Sequence, residues 1–70
     1  VAIFMYELEN GTFKVSLRST EAVDVSEIAR YFGGGGHVRA AGCTMSGTVH
    51  DVINNLSRRI ELQMKGGNEA

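Results

Sequence analysis

Gly33-Gly34-Gly35-Gly36-His37, continuing as Val38-Arg39-Ala40-Ala41-Gly42, stands at the centre of a 70-residue chain and governs how the rest is read. Glycine loses more backbone freedom on folding than any other residue, so four in succession cost about 2–4 kcal/mol relative to alanine. That is a large part of the ~5–15 kcal/mol net stability of an ordinary domain, so bare backbone must be needed here. Consecutive amides without side chains can turn their N–H groups into one concavity, and an anion is the natural occupant. The other reading of a glycine run is a flexible linker. Here the run leaves only 32 residues before it and 33 after His37. Pieces below about 40 residues rarely hold a core without disulfides or metal, which makes the run a loop inside one fold.

Outward from the run, the pattern alternates between strand and helix. Upstream, Val1-Ala2-Ile3-Phe4-Met5-Tyr6 is nearly continuous in apolarity, a strand that asks for cover on both faces. Asn10-Gly11 is a hairpin signal, because both residues tolerate the positive φ of a type I′ turn. Phe13, Val15 and Leu17 then alternate with Lys14, Ser16 and Arg18, giving a second strand with one buried face and Arg18 on the other. Val25, Ile28, Ala29 and Phe32 have helical spacing, with Asp24 and Glu27 as a capping pair and Gly33 as the C′ residue. Downstream, Ala41, Cys43 and Met45 alternate with Gly42, Thr44 and Ser46 as a third strand, which Gly47 breaks. The stripe Val49, Val52, Ile53, Leu56, Ile60 and Met64 predicts a second helix from Val49 to Met64. Thr48 and Asp51 would cap it, Lys65-Gly66-Gly67 would stop it, and Asn68-Glu69-Ala70 would fray.

The order is strand, strand, helix, glycine loop, strand, helix. It predicts an α/β fold of the mixed α+β kind: one domain over 1–70, a small mixed sheet and two helices packed on it. A hairpin and a right-handed strand–helix–strand crossover would build that sheet.

Seven basic against eight acidic side chains give a net charge of −1, which excludes the broad basic face of proteins that grip long nucleic acid. Any anionic ligand is held locally and is short or small. The single cysteine forms no internal disulfide and points to a reducing, cytoplasmic setting. No stretch reaches the ~18 apolar residues of a membrane span, and no signal peptide is visible. Val1 opens inside an apolar run, so the chain is expected to be a piece of a longer protein.

Two glycine fingerprints fail. G-x-G-x-x-G has no match, since starts at Gly33 or Gly34 place Val38 or Arg39 last. Gly42 and Gly47 have the P-loop separation, but Thr48 stands where lysine is required. What remains is Gly-Gly-Gly-Gly-His-Val-Arg-Ala-Ala-Gly, together with Val15-Ser16-Leu17-Arg18-Ser19 and an Ile28-Ala29-x-x-Phe32 helix. This combination resembles the C-terminal DHH-associated domain of the DHH superfamily of phosphoesterases, from Val1 to about Met64. The branch holding NrnA-type oligoribonuclease/pAp-phosphatases is the nearest likeness, and exopolyphosphatase-related proteins share the domain.

The resemblance implies that Gly34, Gly35, Gly36 and His37 line a substrate cleft and that Arg18 and Ser19 are aimed at substrate phosphate. It implies a divalent metal centre, expected to be Mn2+, in an N-terminal Asp-His-His domain that is not in this chain. This chain alone would then be inactive, with no catalytic or metal-binding residue of its own. The expected partners are that domain and a short single-stranded nucleic acid or phosphorylated nucleotide, in a parent that could be dimeric.

The side chains suit that chemistry on their own terms. Glycine amides approach phosphate oxygens unobstructed, and arginine offers a bidentate fork. Serine adds a hydroxyl donor, and histidine donates to phosphate, more strongly when protonated. Each also has an ordinary reading: His37 as a residue that merely caps the loop, Arg18 and Arg39 as solvated surface residues. His50 reads as exposed, Cys43 as core, and Ile60, Leu62 and Met64 as packing. The favoured function is phosphate and nucleic-acid binding for a metal-dependent phosphoesterase acting on short oligonucleotides or pAp-like nucleotides. The alternatives are a polyphosphate or cyclic-dinucleotide hydrolase, or a non-catalytic assembly module such as those ending alanyl-tRNA synthetases.

Overall fold

Asn10 and Gly11 adopt positive φ of 36° and 76°, and this turn folds β1 (Ala2–Glu9) back along β2 (Thr12–Arg18) as expected. The computed structural model describes residues 1–69, with side chains through residue 65. After β2 come α1 (Val25–Tyr31), β3 (Gly35–His37), β4 (Ala40–Ser46) and α2 (Val49–Glu69). The fold is the mixed α/β class with two helices that the pattern predicts.

The sheet order is β1-β2-β4-β3, and all three pairings are antiparallel. This corrects the expected mixed pairing. The glycine run is not a loop between α1 and the third predicted strand: three of its residues form β3, which turns through Val38-Arg39 into β4. The crossover through α1 therefore joins β2 to β3. These two point the same way, but β4 is inserted between them, so no parallel pair forms. Periodicity missed β3 because three residues without apolar side chains carry no alternation.

Both helices cover one face. Phe13, Val15 and Leu17 of β2 and Cys43 and Met45 of β4 are buried with Val25, Ile28 and Ala29 of α1 and Val52 and Leu56 of α2. Ile3 and Met5 of β1 join the margin of this core. Cover on both faces of β1 is not found: Phe4 is 60 % exposed and Tyr6 63 %.

Helix ends follow the sequence signals, with two tertiary amendments. The Asp24 carboxylate accepts N–H bonds from Ser26 and Glu27 and a bond from the Ser26 hydroxyl. The hydroxyl bond, then the two amides, hold its carboxyl below the usual carboxylate range against the opposing effect of desolvation. Glu27 does not reach back to the Asp24 N–H, as a capping box would have it. Gln63 of α2 does so instead at 2.8 Å, and its Nε2 donates to the Asp24 carbonyl and the Glu27 carboxylate. Capping α1 thus also docks α2. At the start of α2, Thr48 and Asp51 bond reciprocally at 3.0 Å in both directions. The helix then runs past the expected stop at Lys65-Gly66-Gly67 to Glu69. Helical glycine costs about 1 kcal/mol but does not forbid continuation. The predicted fraying of Ala70 lies outside the described residues.

Candidate functional site

The face of the sheet away from the helices carries the predicted site residues. Residues directly opposite across a ladder share a face, so the register sorts them into rows. One row runs Ala2, Arg18, Ala40, His37, and the next Phe4, Ser16, Gly42, Gly35. A third runs Tyr6, Lys14, Thr44. Arg18 and His37 are exposed and stand on either side of Ala40. Strands lie about 4.8 Å apart, so their backbones are roughly 10 Å apart, within reach of one phosphate from two long side chains. Beside Arg18 lies a shallow groove of about 320 Å³ lined by Lys14, Ser16, Arg18, Gly35, Gly36, Ala40, Ala41 and Gly42, with His37 outside its lining.

The four glycines are not equivalent. Gly33 has φ +87° and donates to the Arg30 carbonyl at 3.0 Å, while Gly34 donates to the Ala29 carbonyl at 2.8 Å. These two bonds close the C-terminus of α1 as a Schellman motif. A Cβ on Gly34 would lie 2.1 Å from the Gly42 oxygen, and one on Gly36 2.6 Å from the Ala41 Cα. Both are therefore close-approach positions where β3 meets β4. Gly35 alone has nothing within 4 Å of a Cβ and no positive φ, so the fold does not demand glycine there. Its bare position faces the groove.

This narrows the expected anion cradle of consecutive amides. The Gly33 and Gly34 N–H groups satisfy helix carbonyls, and Gly35, Gly36 and His37 lie in an edge strand paired on one side only. Stability of the helix end and close strand packing account for most of the run. What the open face retains is the Arg18 and His37 side chains above a floor without side chains.

Ser19 does not line this groove, although it adjoins Arg18. Its N–H bonds the Arg39 carbonyl at 3.0 Å, and the residue borders a recess with Val1, Ala2 and Arg18. It also lines a larger cavity, about 640 Å³ and mainly apolar, between the start of β1 and the far part of α2. That cavity holds neither Arg18 nor a glycine of the run, so size does not identify the phosphate-suited surface. Arg39 is structural: its Nη1 donates to the Glu21 carbonyl at 3.0 Å. His50 is exposed on α2. Cys43 is buried in the core, and burial pushes its thiol up, with only a lesser opposing pull from Lys14.

Lys14, Ser16, Ala40 and Gly42 were not singled out from sequence as site residues, yet they line the groove. The signal was the alternation itself, which puts Lys14 and Ser16 on the same face as Arg18. Among the described residues, no group of three or more His, Cys, Asp or Glu lies together to hold a metal ion. The residues present thus do not fit a divalent cation. No described helix is long and apolar enough to cross a membrane.

Residues 1–66 match the DHHA1 domain. The chain is 42 % identical over 55 residues to oligoribonuclease NrnB of Bacillus subtilis, covering 77 % of this chain and 14 % of that protein. It is 49 % identical over 47 residues to the bifunctional oligoribonuclease and PAP phosphatase NrnA of Thermus thermophilus, covering 67 % of this chain and 14 % of that protein. This chain belongs to the DHHA1 domain family. It spans about one seventh of the length of these relatives.

Proposed function

We propose that this domain binds the phosphates of short single-stranded oligonucleotides or pAp-like nucleotides on behalf of a DHH-family phosphoesterase. The observation that carries the reading is the row placing Arg18 and His37 on either side of Ala40, beside the bare Gly35 and Gly42 positions of the open face. Arg18 supplies a charge-assisted fork and His37 a ring donor. The absence of side chains at Gly35 and Gly42 lets phosphate oxygens descend to the sheet. We place the divalent metal, Mn2+ by resemblance, in a separate Asp-His-His domain. The residues of this chain orient substrate and offset its charge.

Two measurements test this. Titrating the chain with pAp, a short RNA or polyphosphate should shift the backbone amide signals of residues 35–37 and Arg18. In the full-length protein carrying the domain, Arg18→Ala and His37→Ala should each lower turnover by about ten-fold or more. Wild-type turnover in both variants, with unmoved signals for every ligand, refutes the reading.

A further inference from the structure

Beside the groove, on the same open face, two aromatic rings stand exposed, with no aromatic or cationic ring partner among the described residues. Phe4 is 60 % exposed and Tyr6 63 %, and both lie on β1, an outer strand of the sheet. Alternation puts Ile3 and Met5 toward the core and turns Phe4 and Tyr6 the other way. Two residues apart on a strand, their backbone positions stand about 6.8 Å from each other. That is twice the ~3.4 Å spacing of a stacked strand, which suits two successive bases spread apart, one per ring.

The neighbours supply the charges such a strand would need. Lys14 is directly opposite Tyr6, and Arg18 is diagonal to Phe4 across β1 and β2. Among described residues, the register puts one carboxylate on this face, Glu9, at the far hairpin end opposite Thr12. Lys14, Arg18 and Glu9 leave the face with charge +1, while the chain as a whole is −1. This face therefore carries a small net positive charge because the described carboxylates, Glu9 apart, lie elsewhere.

We propose that Phe4 and Tyr6 are a base-stacking platform, so that this face takes a single-stranded oligonucleotide with at least two unpaired bases on β1. Its phosphates then follow Lys14 and Arg18 toward His37. This rests on the phosphate-binding reading above and extends it by naming bases, not phosphate alone, as part of what is recognised. Aromatic stacking tolerates any base, since every base has a π-face, so the platform selects for single strands without selecting sequence.

The test compares a ligand with bases and one without. Affinities of the chain for a short single-stranded RNA and for tripolyphosphate are measured for the wild type, Phe4→Thr, Tyr6→Thr, Tyr6→Phe and Arg18→Ala. Threonine keeps strand propensity, and far-UV circular dichroism checks folding. Each ring-to-threonine change should weaken RNA binding about 5- to 100-fold and leave tripolyphosphate unchanged, with Tyr6→Phe retaining wild-type affinity. Arg18→Ala should weaken both ligands. Unchanged RNA binding in both threonine variants overturns the platform, as does equal weakening of both ligands. A change from self-associated to monomeric sedimentation in those variants, with RNA binding intact, makes the face a protein interface and also overturns it. If Arg18→Ala alters neither ligand, the phosphate reading fails separately. Quenching of a Tyr6→Trp reporter by RNA, absent with tripolyphosphate, still reads stacking in that case.

Discussion

On the helix side of the sheet, Val15 and Leu17 are fully sealed beneath Val25, Val52 and Leu56; on the other side, the same strands expose Lys14 and Arg18. The first face is filled with branched apolar side chains. The second has aromatic rings at one edge, cations in the middle and glycines toward the other edge. A chain this small has little area to build a core, so leaving one sheet face uncovered is a real loss of stabilising burial. The uncovered face is also the glycine-floored one that exposes Arg18 and His37: one side holds the fold, and the proposed ligand contacts lie on the other.

Substitutions that cross this division should have effects of very different size. The largest belongs to the sealed face. Leu56→Ala removes a fully buried side chain and should cost about 2–5 kcal/mol, enough to unfold much of the population. Urea denaturation followed by circular dichroism reads this, and a midpoint unchanged within error would mean α2 does not hold the core. Next comes Gly34→Ala, where the new methyl meets the Gly42 oxygen and the β3–β4 pairing must shift. A loss of about 1–3 kcal/mol is expected, with amide exchange of Gly35–His37 accelerated relative to α2.

Gly35→Ala sharpens the comparison because it touches only the open face. Stability should stay within about 0.5 kcal/mol of wild type, while affinity for a short RNA falls. A large stability loss, or full affinity, would show that the fold and not the ligand keeps this glycine. The smallest effect is a pH dependence. Asp24 and Asp51 have carboxyls held below the ordinary value, by the Ser26 hydroxyl first for Asp24 and by the Thr48 amide first for Asp51. A carboxylate whose pKa is depressed by folding contributes stability above about pH 4, lost as pH falls through its lower folded value. Denaturation midpoints should therefore decline below about pH 4, and less steeply in Asp24→Asn and Asp51→Asn. Parallel acid limbs in all three proteins would remove the caps from the account.

Local signals were legible wherever a residue's own conformational preference decides the outcome. Asn10-Gly11, Asp24, Gly33 and the Thr48–Asp51 pair could each be read because turn and cap chemistry acts within four residues. The buried sets on β2, β4 and both helices followed from periodicity. Within the candidate site, Arg18 and His37 do share a face, but Ser19 borders a different cavity, and Gly33 and Gly34 serve the helix end. Lys14, Ser16 and Gly42 required the register to be seen together.

By itself, then, the amino-acid order determined both helices, the three strands that alternate, and the bare-backbone stretch between α1 and β4, but not that part of this stretch is strand β3. Only the tertiary structure decided why those four glycines are there. Apart from the helix end that Gly33 and Gly34 close, their roles depend on the neighbouring strand: the Gly42 oxygen for Gly34, the Ala41 Cα for Gly36, open space for Gly35. Dihedral preference is a property of a residue and its near neighbours. Close approach and shared faces are properties of strand pairing, which no short window of sequence contains.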